Sequence, residues 1–183
     1  MTLKEICALA AKLKAEYGTD NPAELCDGLG IHLLYQAMGS HKGAIKGFVI
    51  GVGGVFAVTI NSDLPENVQK IIIAHEIFHA IEHCGIGMCS YHEISMFDEI
   101  SEMEKEANIF AAEFLLSDDE VLDALNGDNT FFTAAASLYV PVELLDFKFR
   151  IMKRKGYQLA ESPISAHNDF LKNIKLKNEQ NIC

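Results

Sequence analysis

Between Pro65 and Cys84 the chain carries a segment with apolar residues on every side and His75-Glu76-Ile77-Phe78-His79 at its centre. Apolar residues line one stripe at 68, 71, 72 and 78, and Ile73, Ala74, Ile77, Ala80 and Ile81 make the far side apolar too, so the segment must be a helix buried all round. Ser62-Asp63-Leu64-Pro65 offers capping side chains and a proline suited to a first turn, and Gly85 and Gly87 stop the helix after His83. Two histidines four apart on a helix point the same way and can grip one metal ion, with Glu76 beside it as a base. The alternative is a pair of hydrogen-bonded core histidines with Glu76 paired to a lysine. It is disfavoured because three buried polar groups are costly without a compensating ion. The chemistry that fits is metal-assisted hydrolysis, most often of a peptide bond.

A catalytic zinc wants three protein ligands and one open position. His83 continues the series but starts about 12 Å along the axis from His75, too far for both to reach one ion. The pattern HExxHxxGxxH is excluded, since it needs glycine at 82 and histidine at 85 where the chain has Glu82 and Gly85. A later carboxylate remains. Residues 99–114 form a second amphipathic segment with Met103, Ala107, Phe110, Ala111 and Phe114 as its apolar stripe. Glu99, Glu106 and Glu113 flank one side of that stripe and Glu104 the other, so periodicity does not choose among them.

His75-Glu-Ile-Phe-His79 followed by Glu106-Ala107-Asn108-Ile109-Phe110-Ala111-Ala112 resembles the ImmA/IrrE family of zinc endopeptidases, whose pattern is HExxH and then E-A-N-x-F-A-A about one helix later. The likeness extends to Asn21-Pro22-Ala23-Glu24-Leu25, Leu29-Gly30-Ile31, a Gly-rich strand pair and Ile60-Asn61, covering roughly residues 15–155. Carried over position by position, the resemblance implies His75, His79 and Glu106 as zinc ligands and Glu76 as the base. It also implies a site-specific endopeptidase whose substrate is often a helix-turn-helix repressor encoded nearby. One departure is Phe114-Leu115-Leu116-Ser117, where the family often ends in Leu-Met-Pro; this touches the helix terminus only.

The 49% hydrophobic content of the 183 residues supports one core with a helical extension. Boundaries are expected at 1–128 for a zincin-like peptidase domain and 129–183 for a helix-turn-helix-like C-terminal part. Residues 1–20 place charges among apolar positions at helical spacing and read as a surface helix, not a secretory segment. Gly47–Ile60 is too short and glycine-rich to span a bilayer; it reads as a strand pair turning near Gly51-Val52-Gly53-Gly54. Five dispersed cysteines suit a reducing compartment better than a disulfide framework, and a cytoplasmic location is expected. His83-Cys84 with Cys89-x-x-His92 matches finger and ribbon spacings poorly, so 84–98 reads as a loop at the cleft rim. There Tyr91, His92 or His83 could polarise a scissile carbonyl.

Residues 93–128 hold 12 acids and one base, an imbalance of −11 that equals that of the whole chain. Most of this is a solvated helix face with capping acids; the sharper reading is a surface that attracts a basic protein substrate. Either way, direct nucleic-acid binding by this face is disfavoured. Thr130–Ala136, a break at 138–141 and Val142–Lys155 read as a helical hairpin, packed on the core in preference to reading DNA. Lys148, Arg150, Lys153, Arg154 and Lys155 form its polar face.

The expected architecture is therefore α+β: N-terminal helices, a small sheet of about three strands built mainly from 31–60, the active helix near 65–83, the glutamate helix near 98–116 and a helical C-terminal part. Two competing functions stand beside the repressor-cleaving endopeptidase. One is a general peptidase acting on short peptides. The other is a non-catalytic, metal-stabilised module that sequesters a repressor or toxin, which should tolerate Glu76→Gln.

Overall fold

The computed structural model describes residues 1–41, 43–84, 102–126, 130–159 and 162–163, and the backbone of 89–92. Helix α1 (Leu3–Tyr17) opens on a capping box between Thr2 and Glu5, and α2 (Pro22–Leu29) on an Asn21 cap with proline in its first turn. Strands β1 (His32–Gln36), β2 (Gly47–Val52) and β3 (Val55–Asn61) follow. β2 and β3 are antiparallel, joined through Gly53 and Gly54 at φ +61° and +84°, the left-handed pair that a two-residue hairpin loop requires. β1 runs parallel to β3.

The active helix is α3 (Glu66–Phe78), continued by a π turn (His79–His83) in which Cys84 N–H donates to the His79 carbonyl. Pro65 stands at the N-cap without a side-chain cap. Asp63, an expected capper, instead accepts from the Gly39 N–H at 2.7 Å. Val68 and every residue from Ile71 to Phe78 are buried, as the all-round apolar pattern requires. β2 lies close on this helix: a Cβ built on Gly47 would meet Ile72 Cγ2 at 2.5 Å, a contact only glycine avoids.

The sheet gains a fourth strand, β4 (Cys89–His92), antiparallel to β2, giving the order β1-β3-β2-β4. This corrects the expectation of a loop over that stretch. Its partners, Phe48–Gly51, lie some forty residues upstream, so the pairing leaves no local signature. Helix α4 (Glu102–Leu115) packs on α3, and α5 (Asp118–Leu125), α6 (Phe131–Ser137) and α7 (Val142–Lys155) complete a mostly helical α+β fold. Ala134, Leu144, Leu145 and Met152 of the C-terminal helices share one hydrophobic cluster with Ile72, Ile77, Phe110 and Phe114.

Lys148 does not lie on a polar face as the charge pattern suggested. It is buried, with Nζ 2.5 Å from Glu113 and 2.6 Å from Asp118, while Lys155 pairs with the same two acids at 2.5 and 3.0 Å. These ion pairs tie α7 to α4 and α5. Cys84 is disulfide-bonded, whereas Cys7 and Cys26 are free thiols. No helix among the described residues is long and apolar enough to cross a membrane.

Candidate metal centre

His75 and His79 project from one face of α3 and its π turn with their Nε2 atoms 3.0 Å apart. The carboxylate that meets them belongs to Glu104, in the first turn of α4. Its Oε2 lies 3.2 Å from His75 Nε2 and its Oε1 3.3 Å from His79 Nε2. Bonds of about 2.0–2.2 Å to a tetrahedral ion demand ligand-to-ligand edges of about 3.3–3.6 Å. The observed triangle is within a few tenths of an ångström of that before any ion pulls it into shape. Among the described residues, His75, His79 and Glu104 form the one acid and imidazole cluster whose ligand atoms all approach within 4.8 Å.

The expected third ligand, Glu106, is turned elsewhere. Its Oε2 lies 3.3 Å from His83 Nε2 and its Oε1 accepts from the Met1 amino group. The cause is the roll of α4. Asn108 is buried and places its side-chain oxygen 3.1 Å from His75 Nδ1, and the residue sharing its face one turn earlier is Glu104. Glu106 is two positions from either and points away from that face. Sequence reasoning missed Asn108 and passed over Glu104, although a lone amide inside the apolar run 107–112 was a usable signal. Glu113, another of the open choices, is committed to Lys148 and Lys155. Glu99, Tyr91 and His92 fall outside the described side chains.

Electrostatics favour a cation at the centre. Burial pushes the His79 imidazole down to about 4 despite the opposing hydrogen bond to Glu104, so the ring is neutral at physiological pH. Burial works against the Glu104 carboxylate too. The hydrogen bonds and charge of His75 and His79 outweigh that and hold it well below the usual carboxylate range. A neutral imidazole whose hydrogen sits on Nδ1 turns its Nε2 lone pair toward the ionised Glu104 carboxylate. In that tautomer, a cation between the two atoms would satisfy both lone pairs. Two imidazoles and a carboxylate form a donor set that can hold a divalent metal ion.

Glu76 is buried at 2% exposure and is offset by one residue from the histidine face. His83 has both ring nitrogens engaged, Nδ1 at 2.7 Å from His79 Nδ1 and Nε2 at Glu106, which leaves no N–H directed at a substrate carbonyl. The acidic stretch is also less available than its charge suggests. Of its described members, Glu104, Glu106, Glu113 and Asp118 all face internal partners.

A buried helix carrying HExxH whose imidazoles meet a carboxylate from the following helix, beside a small mixed sheet, defines a metallopeptidase-type domain. The chain belongs to the peptidase M78 family: the model described as the IrrE N-terminal-like domain matches residues 26–150. It is 30% identical over 148 residues to a protein named uncharacterized immunity region protein 2 of Bacillus phage phi105, covering 78% of this chain and 88% of that one. It is 27% identical over 152 residues to the metallopeptidase ImmA of Bacillus subtilis strain 168, covering 82% of this chain and 87% of that one.

Proposed function

We propose that this protein is a zinc-dependent, site-specific endopeptidase that cleaves a helix-turn-helix repressor. The observation that carries the reading is the triangle of His75 Nε2, His79 Nε2 and the Glu104 carboxylate, with edges of 3.0, 3.2 and 3.3 Å. His75, His79 and Glu104 would hold a divalent cation, which would supply Lewis-acid chemistry toward a scissile carbonyl and a water. Glu76 takes the water proton and returns it to the leaving amine. Asn108 holds His75 in register for its part. β4 is the end strand of the sheet and follows directly on the active helix, so its outer edge receives an extended substrate by strand addition. The immunity-region and ImmA names of the relatives support a repressor as the substrate. A repressor presents a basic, DNA-binding surface that an acidic chain of net charge −11 attracts.

The test pairs metal analysis with cleavage of the repressor encoded by the neighbouring gene. Glu104→Ala should lose the metal, and Glu106→Ala should keep one ion per chain with weaker affinity. Glu76→Gln should keep metal and fold but lose cleavage by about 10²–10⁴-fold, the usual contribution of a general base. Equal cleavage by wild type and Glu76→Gln would refute the mechanism and leave the sequestering module as the reading. Metal retained in Glu104→Ala and lost in Glu106→Ala would restore the ligand set implied by the resemblance.

A further inference from the structure

The imidazole of His79 does not end at the metal face. Its Nδ1 lies 2.7 Å from His83 Nδ1, and His83 Nε2 lies 3.3 Å from Glu106 Oε2. With His83 neutral, one assignment of protons gives each of these two contacts a single donor. An ionised carboxylate only accepts, so the hydrogen of His83 sits on Nε2 and its Nδ1 carries a lone pair. His79 must then donate from Nδ1, which leaves its Nε2 lone pair facing His75 and Glu104. With His83 neutral, the chain of contacts therefore selects the tautomer of His79 in which Nε2 can hold a cation.

The backbone is shaped for this chain. The segment His79–His83 is a π turn, a rare widening of the helix that is found mostly at functional sites. It brings the two rings to a 4.8 Å centroid separation at 52°. His75 is oriented differently, by the neutral amide of Asn108. The two ligands thus have different support: behind His79 stand His83 and the Glu106 carboxylate, which is itself paired with the Met1 amino group.

We propose that His83 and Glu106 are positioning residues that fix the tautomer and orientation of His79 and raise its affinity for the metal. The proposal rests on the ligand set given under Proposed function. A purely structural role for His83 also has a basis, since its ring packs edge-on against Phe78 at 5.1 Å and 83°. The test must therefore keep the ring and remove the nitrogens.

The experiment compares wild type, His83→Phe, His83→Gln, Glu106→Gln, His83→Phe with Glu106→Gln, and Glu104→Ala. Zinc affinity is read by chelator competition, ligand geometry by the visible absorption of the cobalt-substituted protein, and folding by thermal unfolding of the metal-free protein. His83→Phe should weaken zinc binding about 10–100-fold, the usual cost of losing an outer hydrogen-bond partner, and shift the cobalt spectrum while leaving metal-free unfolding close to wild type. His83→Gln, which keeps an acceptor, should recover part of the loss. Glu106→Gln should weaken binding less, and most of its effect should vanish in the His83→Phe background, because it acts through that ring. Wild-type affinity and spectrum in His83→Phe would overturn the proposal. So would an undiminished effect of Glu106→Gln in the double variant. In both cases, metal loss in Glu104→Ala would show that the ligand set still stands. Wild-type affinity in Glu104→Ala would overturn the ligand set and the relay together.

Discussion

Asn61 ends β3 fully buried and makes four side-chain hydrogen bonds. Its Oδ1 accepts from the N–H groups of Met38 at 3.1 Å and Asp63 at 3.0 Å, and its Nδ2 donates to the carbonyls of Gly39 and Ile45, both at 2.8 Å. One amide thereby ties the long β1–β2 connection to the turn that launches the active helix. Asn61→Ala leaves two donors and two acceptors without partners. At about 1 kcal/mol net for each lost bond the sum is about 4 kcal/mol, reduced to about 2–4 kcal/mol because Met38, Gly39 and Asp63 are near enough to the surface for water to substitute. Asn61→Asp separates donors from acceptors. Its carboxylate still accepts from Met38 and Asp63 but sets an oxygen against the Gly39 and Ile45 carbonyls. Protonation restores one donor, so the folded state raises this carboxyl's pKa. The stability deficit should then shrink as pH falls from 8 to 5. Urea unfolding of the three proteins at both pH values is the assay. A loss under 1 kcal/mol in Asn61→Ala, or an Asn61→Asp deficit independent of pH, would refute the assignment of these bonds.

Lys148→Ala should cost about 3–5 kcal/mol, because Glu113 and Asp118 lose a buried partner, whereas Lys148→Met should recover much of that, since the shape is kept and Lys155 still pairs with both acids. Equal unfolding midpoints for the two variants would contradict this. The metal-free protein should be acid-labile well above the usual carboxylate range. His79 is depressed to about 4 in the folded state against about 6.5 unfolded, so the unfolded chain binds the extra proton. The contribution is intact above pH 6.5 and is lost as pH falls towards 4, by roughly 3 kcal/mol at most. Glu104, also depressed, adds a loss in the same direction below pH 4.5. Thermal unfolding of metal-free protein between pH 7.5 and 4.5 checks it, and a flat profile would show that His79 accepts a proton in the fold.

The parts of this fold that were legible are those whose signal is local. The all-round apolar run around His75 and His79, the glycine pair of the β2–β3 hairpin and the break before Val142 each state their own structure within a dozen residues. What was not legible depends on a partner far away in the chain. β4 exists because Phe48–Gly51 offers a free edge, and Lys148 is buried because α5 brings Asp118 to it. The carboxylate that meets the histidines belongs to the same class. Helical periodicity gives the faces of α4, but which face meets the histidines is a rotation about the helix axis, set by packing between two helices. Asn108 records that rotation. The buried amide of Asn108, among Ala107, Ile109 and Phe110, meets the imidazole of His75, and the face it marks carries Glu104 one turn earlier. Glu106, two residues on, is carried round to the other flank of the histidine pair, where it meets His83. The family-like stretch beginning at Glu106 thus marks the right helix, and the glutamate two residues before it faces the candidate metal position.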